Sequence, residues 1–507
     1  MKRILTAFLC AVLLFCTSCS YSAVPKSDGV TPLEPDNENP RTIGLLNPDS
    51  EVRGVWIATV GNINFPSKKG LSAQKLRAEL DDIIKVCTEN GLNTVFFQVR
   101  PCADALYRSE TFPQSEFVSG KQGQSPDGDF DCLEYLINEA KKQKINVHAW
   151  VNPLRVTYGS ASSPKTDVSA LSQDNPARKN PAWTIPYADG KLYFDAGNPE
   201  VREYIARGVA EIVENYAVDG IVFDDYFYPY PVTENGKTAD FDDSATYEKY
   251  GVGAKKDDWR RENINTLVRD CFNAVKSANS ACLFGISPFG IWQNDDGKNG
   301  GSDTRGLEAY KSLYCDAVAW AKGGYVDYIA PQLYWQRSTA AAPYETLANW
   351  WNSVLDGTGV DLLIAHGVYN YDSWESPQGE LTAQIEQSRD LLCYKGSVLY
   401  GYAALKADSH GALSETREAF HEEIIYSDAV PDYSQITVEG GTNVTTSAAS
   451  YILKGHADPA QPFTVNGRGV SRDKSGNFQI EIKLYTGENK IALKSGNITK
   501  TVTVTRE

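Results

Sequence analysis

The sequence predicts a (β/α)8 TIM barrel followed by a small all-β immunoglobulin-like sandwich. Eight short β-branched or aromatic runs recur from Arg53 to Leu405. Amphipathic helical stretches separate them, which calls for parallel strands joined by crossover helices. After Pro431 the pattern changes to short strands broken by glycine turns.

The strand candidates, in order, are Arg53–Val60, Thr94–Arg100, Asn146–Pro153, Gly220–Tyr226, Cys282–Gly290, Tyr328–Trp335, Leu362–Tyr369 and Val398–Leu405. Between the first two, Leu76, Leu80, Ile83, Ile84 and Cys87 fall on one helical face of Ser72–Glu89. Val201–Tyr216 repeats this spacing with Ile205, Val209, Ile212 and Val213, and Asp258–Lys276 and Glu380–Leu392 behave likewise. Eight units favour a closed barrel over an open doubly wound sheet. The segment Leu154–Glu200, rich in Pro, Asn and Ser, follows the third strand, where barrel enzymes grow substrate-binding loops.

Past residue 431, Gln435–Glu439, Tyr451–His456, Phe463–Val465, Phe478–Leu484, Lys490–Lys494 and Thr499–Thr505 read as strands. Asn466-Gly467, Ser475-Gly476 and Thr486-Gly487 supply turns. The domain plan is therefore 51–430 for the barrel and 431–507 for the sandwich, which serves as a spacer or a glycan-binding module.

At the N-terminus, Lys2 and Arg3 precede an apolar run from Ile4 to Phe15, the layout of a secretory signal. The run is shorter than the about 20 residues that a membrane-spanning helix needs. It ends at Cys16-Thr17-Ser18-Cys19, which resembles a bacterial lipobox with Cys19 as the acylated residue, although Cys16 stands where Leu is usual. Simple cleavage after the small residues is the alternative. Residues 1–19 are expected to be a lipoprotein signal and 20–50 a flexible tether, giving an exported protein held at the cell envelope by a lipid anchor.

A formal charge of −16 disfavours a nucleic-acid partner. Seven cysteines follow the signal region, an odd number with no Cys-x-x-Cys pair. Neither a metal cluster nor a dense disulfide framework is expected, but buried thiols instead.

Chemistry in a barrel is carried at the C-terminal strand ends. Those ends hold Arg100, Asn152, Asp224, Asp225, Tyr226, Gln332, Tyr334, Trp335, His366 and Tyr402. The strongest signal is Asp224-Asp225 at the end of the apolar run Gly220-Ile221-Val222-Phe223. Two carboxylates so close repel, which raises one pKa and suits a general acid near neutral pH. A helix cap, a loop brace or a cation site is the alternative use of such a pair. Asp240, Asp242 and Asp243, and Asp295 with Asp296, lack calcium-loop spacing. No catalytic metal and no cofactor are expected.

Six motifs in order carry a resemblance. They are Arg53-Gly54-Val55-Trp56, Phe97-Gln98-Val99-Arg100-Pro101, His148-Ala149-Trp150-Val151-Asn152-Pro153, Asp224-Asp225-Tyr226-Phe227-Tyr228-Pro229, Ser287-Pro288-Phe289-Gly290-Ile291-Trp292 and Ala330-Pro331-Gln332-Leu333-Tyr334-Trp335. Together, from about Glu51 to Tyr426, they resemble the bacterial glycosyl-hydrolase-like family ten. The resemblance implies a glycoside hydrolase. It also implies a lipoprotein and, as substrate class, peptidoglycan glycan strands that have lost their stem peptides.

Sugars of that class carry 2-acetamido groups, which can attack their own anomeric carbon in place of an enzyme nucleophile. Asp224 and Asp225 are similar to the aspartate pairs of substrate-assisted hexosaminidases, which implies orientation of the acetamide by Asp224 and acid catalysis by Asp225. Strict strand alternation would point the two side chains apart unless the chain bends there. A rival scheme uses separated carboxylates, with Asp372 and Glu375 as second candidates. A non-catalytic wall-binding lipoprotein is a further alternative. Arg100 is expected to grip a substrate carboxyl or to pair with the aspartates. Asn152, Gln332 and His366 are expected to bond sugar hydroxyls, and Tyr226, Trp292, Tyr334 and Trp335 to stack on sugar faces.

Overall fold

The computed structural model describes residues 51–234, 236–420, 434–458, 461–470, 472 and 476–507. The expected signal, Cys19 and the tether lie outside the described residues.

Eight parallel strands close on themselves. They are β1 (Val52–Ile57), β2 (Thr94–Arg100), β3 (Asn146–Val151), β4 (Gly220–Phe223), β5 (Leu283–Ile286), β6 (Tyr328–Ile329, resuming at Gln332–Leu333), β7 (Asp361–Gly367) and β8 (Tyr394–Tyr400). Each pairs with its sequence neighbours, and β1 pairs with β8 to complete the ring. The break in β6 falls at Ala330-Pro331, where proline has no N–H for the ladder. The expected eighth strand starts earlier than Val398, and Tyr402–Lys406 is helical.

The crossover helices are α1 (Ala73–Glu89), α2 (Cys132–Lys142), α3 (Pro199–Asn215), α4 (Lys256–Ala278), α5 (Ala317–Gly323), α6 (Tyr344–Leu355), α7 (Glu380–Arg389) and α8 (Ala412–Ala419). Their starts follow capping chemistry. The side chains of Ser72, Asp131, Asn198 and Asp316 accept from the backbone at the first turns of α1, α2, α3 and α5. The apolar face read from α1 is the buried one.

The barrel interior is filled by side chains in layers. His148 and Tyr328 meet across it, Nδ1 to Oη at 2.8 Å. Neighbouring strands leave them room. A Cβ on Gly220 would lie 2.6 Å from the His148 ring, and one on Gly285 would lie 2.1 Å from the Tyr328 ring. Nearer the mouth, Trp56 and Trp150 meet edge-on with centroids 5.1 Å apart. They form the floor on which the site is built.

The C-terminal residues form a small all-β domain of two sheets. One holds Thr437–Val438, Ser450–His456 and Asn477–Lys483. The other holds Asn443–Thr446, Phe463–Val465, Arg468–Gly469, Gly487–Ser495 and Ile498–Arg506. Leu453, Phe463, Phe478, Ile480, Ile491, Leu493, Val502 and Val504 are buried among its strands.

Among the described residues, Cys87, Cys102, Cys132, Cys271, Cys282 and Cys315 are buried free thiols and Cys393 is half-buried and free. No described helix is long and apolar enough to cross a membrane.

Candidate active site

Along β4 the side chains alternate, and the inward set runs Gly220, Val222, Asp224. Ladder pairing stops at Phe223, and the chain bends at Asp225. The bend brings both carboxyls into one cavity of about 710 Å³ at the barrel mouth. Among the described residues lining it, they are the only carboxylates. Asp372 and Glu375, the separated candidates, do not line it; Asp372 is exposed and pairs with His410 at 3.2 Å.

Asp224 is held by N–H donors. Trp150 Nε1 donates to its Oδ2 at 3.0 Å, Asn152 Nδ2 donates to the same oxygen, and the Tyr226 backbone N–H reaches Oδ1 at 3.3 Å. Asp225 is held differently. The Tyr230 hydroxyl donates to its Oδ2, and the Gln332 amide bonds the same carboxyl while also donating to Ser287 O at 3.1 Å. Burial raises the pKa of both acids, and the charge of Asp225 adds to the rise at Asp224. The cation that opposes this is Arg155. It is buried, donates Nε–H to Pro101 O at 2.9 Å and lies over the Tyr226 ring at 5.1 Å.

Burial and the charge of Asp225 lift the pKa of Asp224 to about 7, but the hydrogen bonds on the pair favour the opposite placing of a shared proton. The N–H groups on Asp224 can only donate, so they favour its ionised form. A tyrosine hydroxyl can donate or accept, so Tyr230 tolerates a protonated Asp225.

The rest of the lining is aromatic and amide: Trp56, Trp150, Tyr226, Tyr230, Phe289, Tyr334, Trp335, Tyr369, Trp374 and Tyr400, with Asn64, Gln332 and Asn370. An apolar cavity with a few convergent polar groups is the ordinary form of a small-molecule site. Among the described residues no group of three or more His, Cys, Asp or Glu gathers as a metal site.

The structure thus brings together Asp224, Asp225, Tyr226, Gln332, Tyr334 and Trp335 around the cavity. Asn152 lies behind Asp224 and braces it. Three expected binding residues face elsewhere. Arg100 would point inward by alternation, but a bulge between Gln98 and Arg100 turns it to the helix layer, where it stacks on Phe112 at 4.3 Å and crowds Gly208 of α3. His366 faces the helix layer by simple alternation, with Leu362 and Ile364 outward and Leu363 inward. Its ring nitrogens contact Gln384 and Ser397, and burial lowers its pKa to about 4. Trp292 donates to Asp316 and stacks on Trp350 of α6, away from the cavity. The loop Leu154–Glu200 supplies Arg155 but no lining residue.

Sequence reasoning missed Arg155, Tyr230, Tyr369 and Tyr400. Arg155 carried a usable signal, being two residues past Pro153 at a barrel strand end.

The profile of the glycosyl hydrolase-like 10 family matches residues 51–378. This chain belongs to that family. It is 41% identical over 375 residues to glycosyl hydrolase YngK of Bacillus subtilis, covering 72% of this chain and 70% of that protein. It is 36% identical over 378 residues to glycosyl hydrolase DigH of Escherichia coli K12, covering 72% and 82%. Among solved structures, the PgaB (BpsB) glycoside hydrolase domain from Bordetella bronchiseptica aligns with TM-score 0.47 and 13% identity, over 73% of this chain and 99% of that one. This family member is a glycoside hydrolase.

Proposed function

We propose that this glycoside hydrolase cleaves a bacterial glycan of 2-acetamido sugars, with peptide-free peptidoglycan strands as the substrate class, through the Asp224–Asp225 pair. The observation that carries the reading is the kind of partner each acid has: Asp224 is held by three N–H donors, whereas Asp225 has a tyrosine hydroxyl beside the Gln332 amide and its own backbone N–H. Asp224, ionised, accepts from the acetamide N–H and turns its carbonyl oxygen toward the anomeric carbon. That oxygen bonds to C1 as the C1–O bond to the leaving sugar breaks, and Asp225 gives its proton to the leaving oxygen. Water then adds to C1 of the oxazolinium, giving its proton to Asp225, and the acetamide is restored. The anomeric configuration is retained.

The test is product analysis on peptide-free glycan strands, with wild type beside Asp224→Asn and Asp225→Asn. Retained-configuration oligosaccharides from wild type, absent with both variants, support the reading. Equal turnover of unacetylated glucans sinks it. Delivery to such a substrate fits a lipoprotein anchored at Cys19 through the 20–50 tether, a proposal that labelling with a radioactive fatty acid tests, since Cys19→Ala must lose the label.

A further inference from the structure

The acids follow β4, whereas the most exposed aromatic lining the cavity lies three strands away around the ring. Tyr369 follows β7 in the short turn Val368–Asn370, lines the cavity and is 47% exposed. It is not loose. Its ring meets Tyr334 edge-on at 5.7 Å and Tyr400 at 5.5 Å, and those two are stacked on each other at 5.6 Å and 11°. Backbone detail holds the three in place. Asn370 Nδ2 donates to Tyr334 O at 3.0 Å. A Cβ on Gly367 would strike Tyr334 at 2.9 Å, and one on Gly401 would strike Tyr369 at 2.8 Å. Ile63, after β1, also lines the cavity and is 51% exposed.

An isolated exposed tyrosine means little. Here a pre-ordered cluster of three continues the catalytic cavity outward from the acids. Tyr400 and Tyr334 are near enough to the aspartates to feel their charge, and Tyr369 extends the cluster to solvent. Its exposed face offers the flat apolar surface on which a pyranose presents its C–H groups.

We propose that Tyr369, backed by Tyr334 and Tyr400, is a sugar-stacking subsite beyond the cleaved residue, so that the enzyme selects glycan chains over short glycosides. The inference rests on the glycoside hydrolase activity and on no particular sugar.

The test uses wild type, Tyr369→Phe and Tyr369→Ala on disaccharide-to-hexasaccharide series of N-acetylglucosamine, glucose and mannose, reading kcat/KM against length and binding by calorimetry. Wild type is expected to gain with length. Tyr369→Ala should lose roughly tenfold on the longer members, mainly in KM, with far less loss on the shortest. Tyr369→Phe should keep the length dependence, since it keeps the ring. An equal loss at every length, no loss at any, or no length-dependent binding in any series overturns the proposal. Cleavage confined to glucose or mannose chains would defeat the acetamido mechanism while leaving the length comparison intact.

Discussion

The indole of Trp150 donates its N–H to Oδ2 of Asp224 at 3.0 Å, so the floor of the barrel mouth is wired to one acid of the pair. Trp150→Phe keeps most of the packing against Trp56 but removes the donor. A hydrogen bond to a charged group contributes about 1.5–3 kcal/mol. The variant should lose roughly ten- to a hundredfold in kcat, with the acidic limb of its pH profile moved upward because ionised Asp224 has lost support. Steady-state kinetics across pH checks both; an unchanged limb would separate Asp224 from the step.

Tyr230→Phe tests the other acid. It removes the hydroxyl that donates to Asp225, which leaves that carboxyl harder to ionise. The alkaline limb should move upward, and kcat should fall because the proton leaves Asp225 less readily.

Stability should also depend on pH through this pair. Both carboxyls titrate above the unfolded value of about 3.9, because burial disfavours charge. A carboxyl raised in this way binds its proton more tightly folded than unfolded. It costs no stability below the unfolded value, and the cost grows as pH rises from there to the folded value. Asp225→Asn should therefore raise Tm at neutral pH, with the gain fading toward about pH 4. Thermal melts at both ends measure it; a gain independent of pH would assign the effect to something other than charge.

Arg155 is the cation that both acids share. Arg155→Met should shift the acidic limb upward and lower kcat more than it raises KM, and Arg155→Lys should restore part of the shift. A merely structural role for Arg155 would lower activity without moving the limb.

Trp351 of α6 is fully buried and donates to Gly290 O at 2.9 Å. Trp351→Ala should cost about 3–5 kcal/mol in chemical unfolding, the usual price of deleting a buried tryptophan.

Barrel periodicity is strong in the sequence, and β2 and Phe463–Val465 run over the residues expected of them. Alternation also places Asp224 inward, but by itself it would turn Asp225 away, and only the bend at Asp225 brings the two together. What alternation cannot contain is an extra residue. The bulge in β2 reverses the facing of Arg100, and no glycine or proline stands among Gln98, Val99 and Arg100 to announce it, whereas His366 follows alternation to the outer face that the strand-end rule ignores. Arg155 and Tyr369 belong to loops, whose path is set by tertiary contacts rather than local period. Trp292 lies too far beyond its strand for the strand-end rule to govern it.

The gap in β6 at Ala330-Pro331 separates two duties. Tyr328 and Ile329 pair with both β5 and β7 and close the ring, while Gln332 and Leu333 continue the pairing with β7 and Gln332, Tyr334 and Trp335 line the cavity. Sequence drift in that second segment can therefore reshape one wall of the mouth while the ring stays shut. Relatives of this chain have a place to change the glycan they accept without renegotiating their fold.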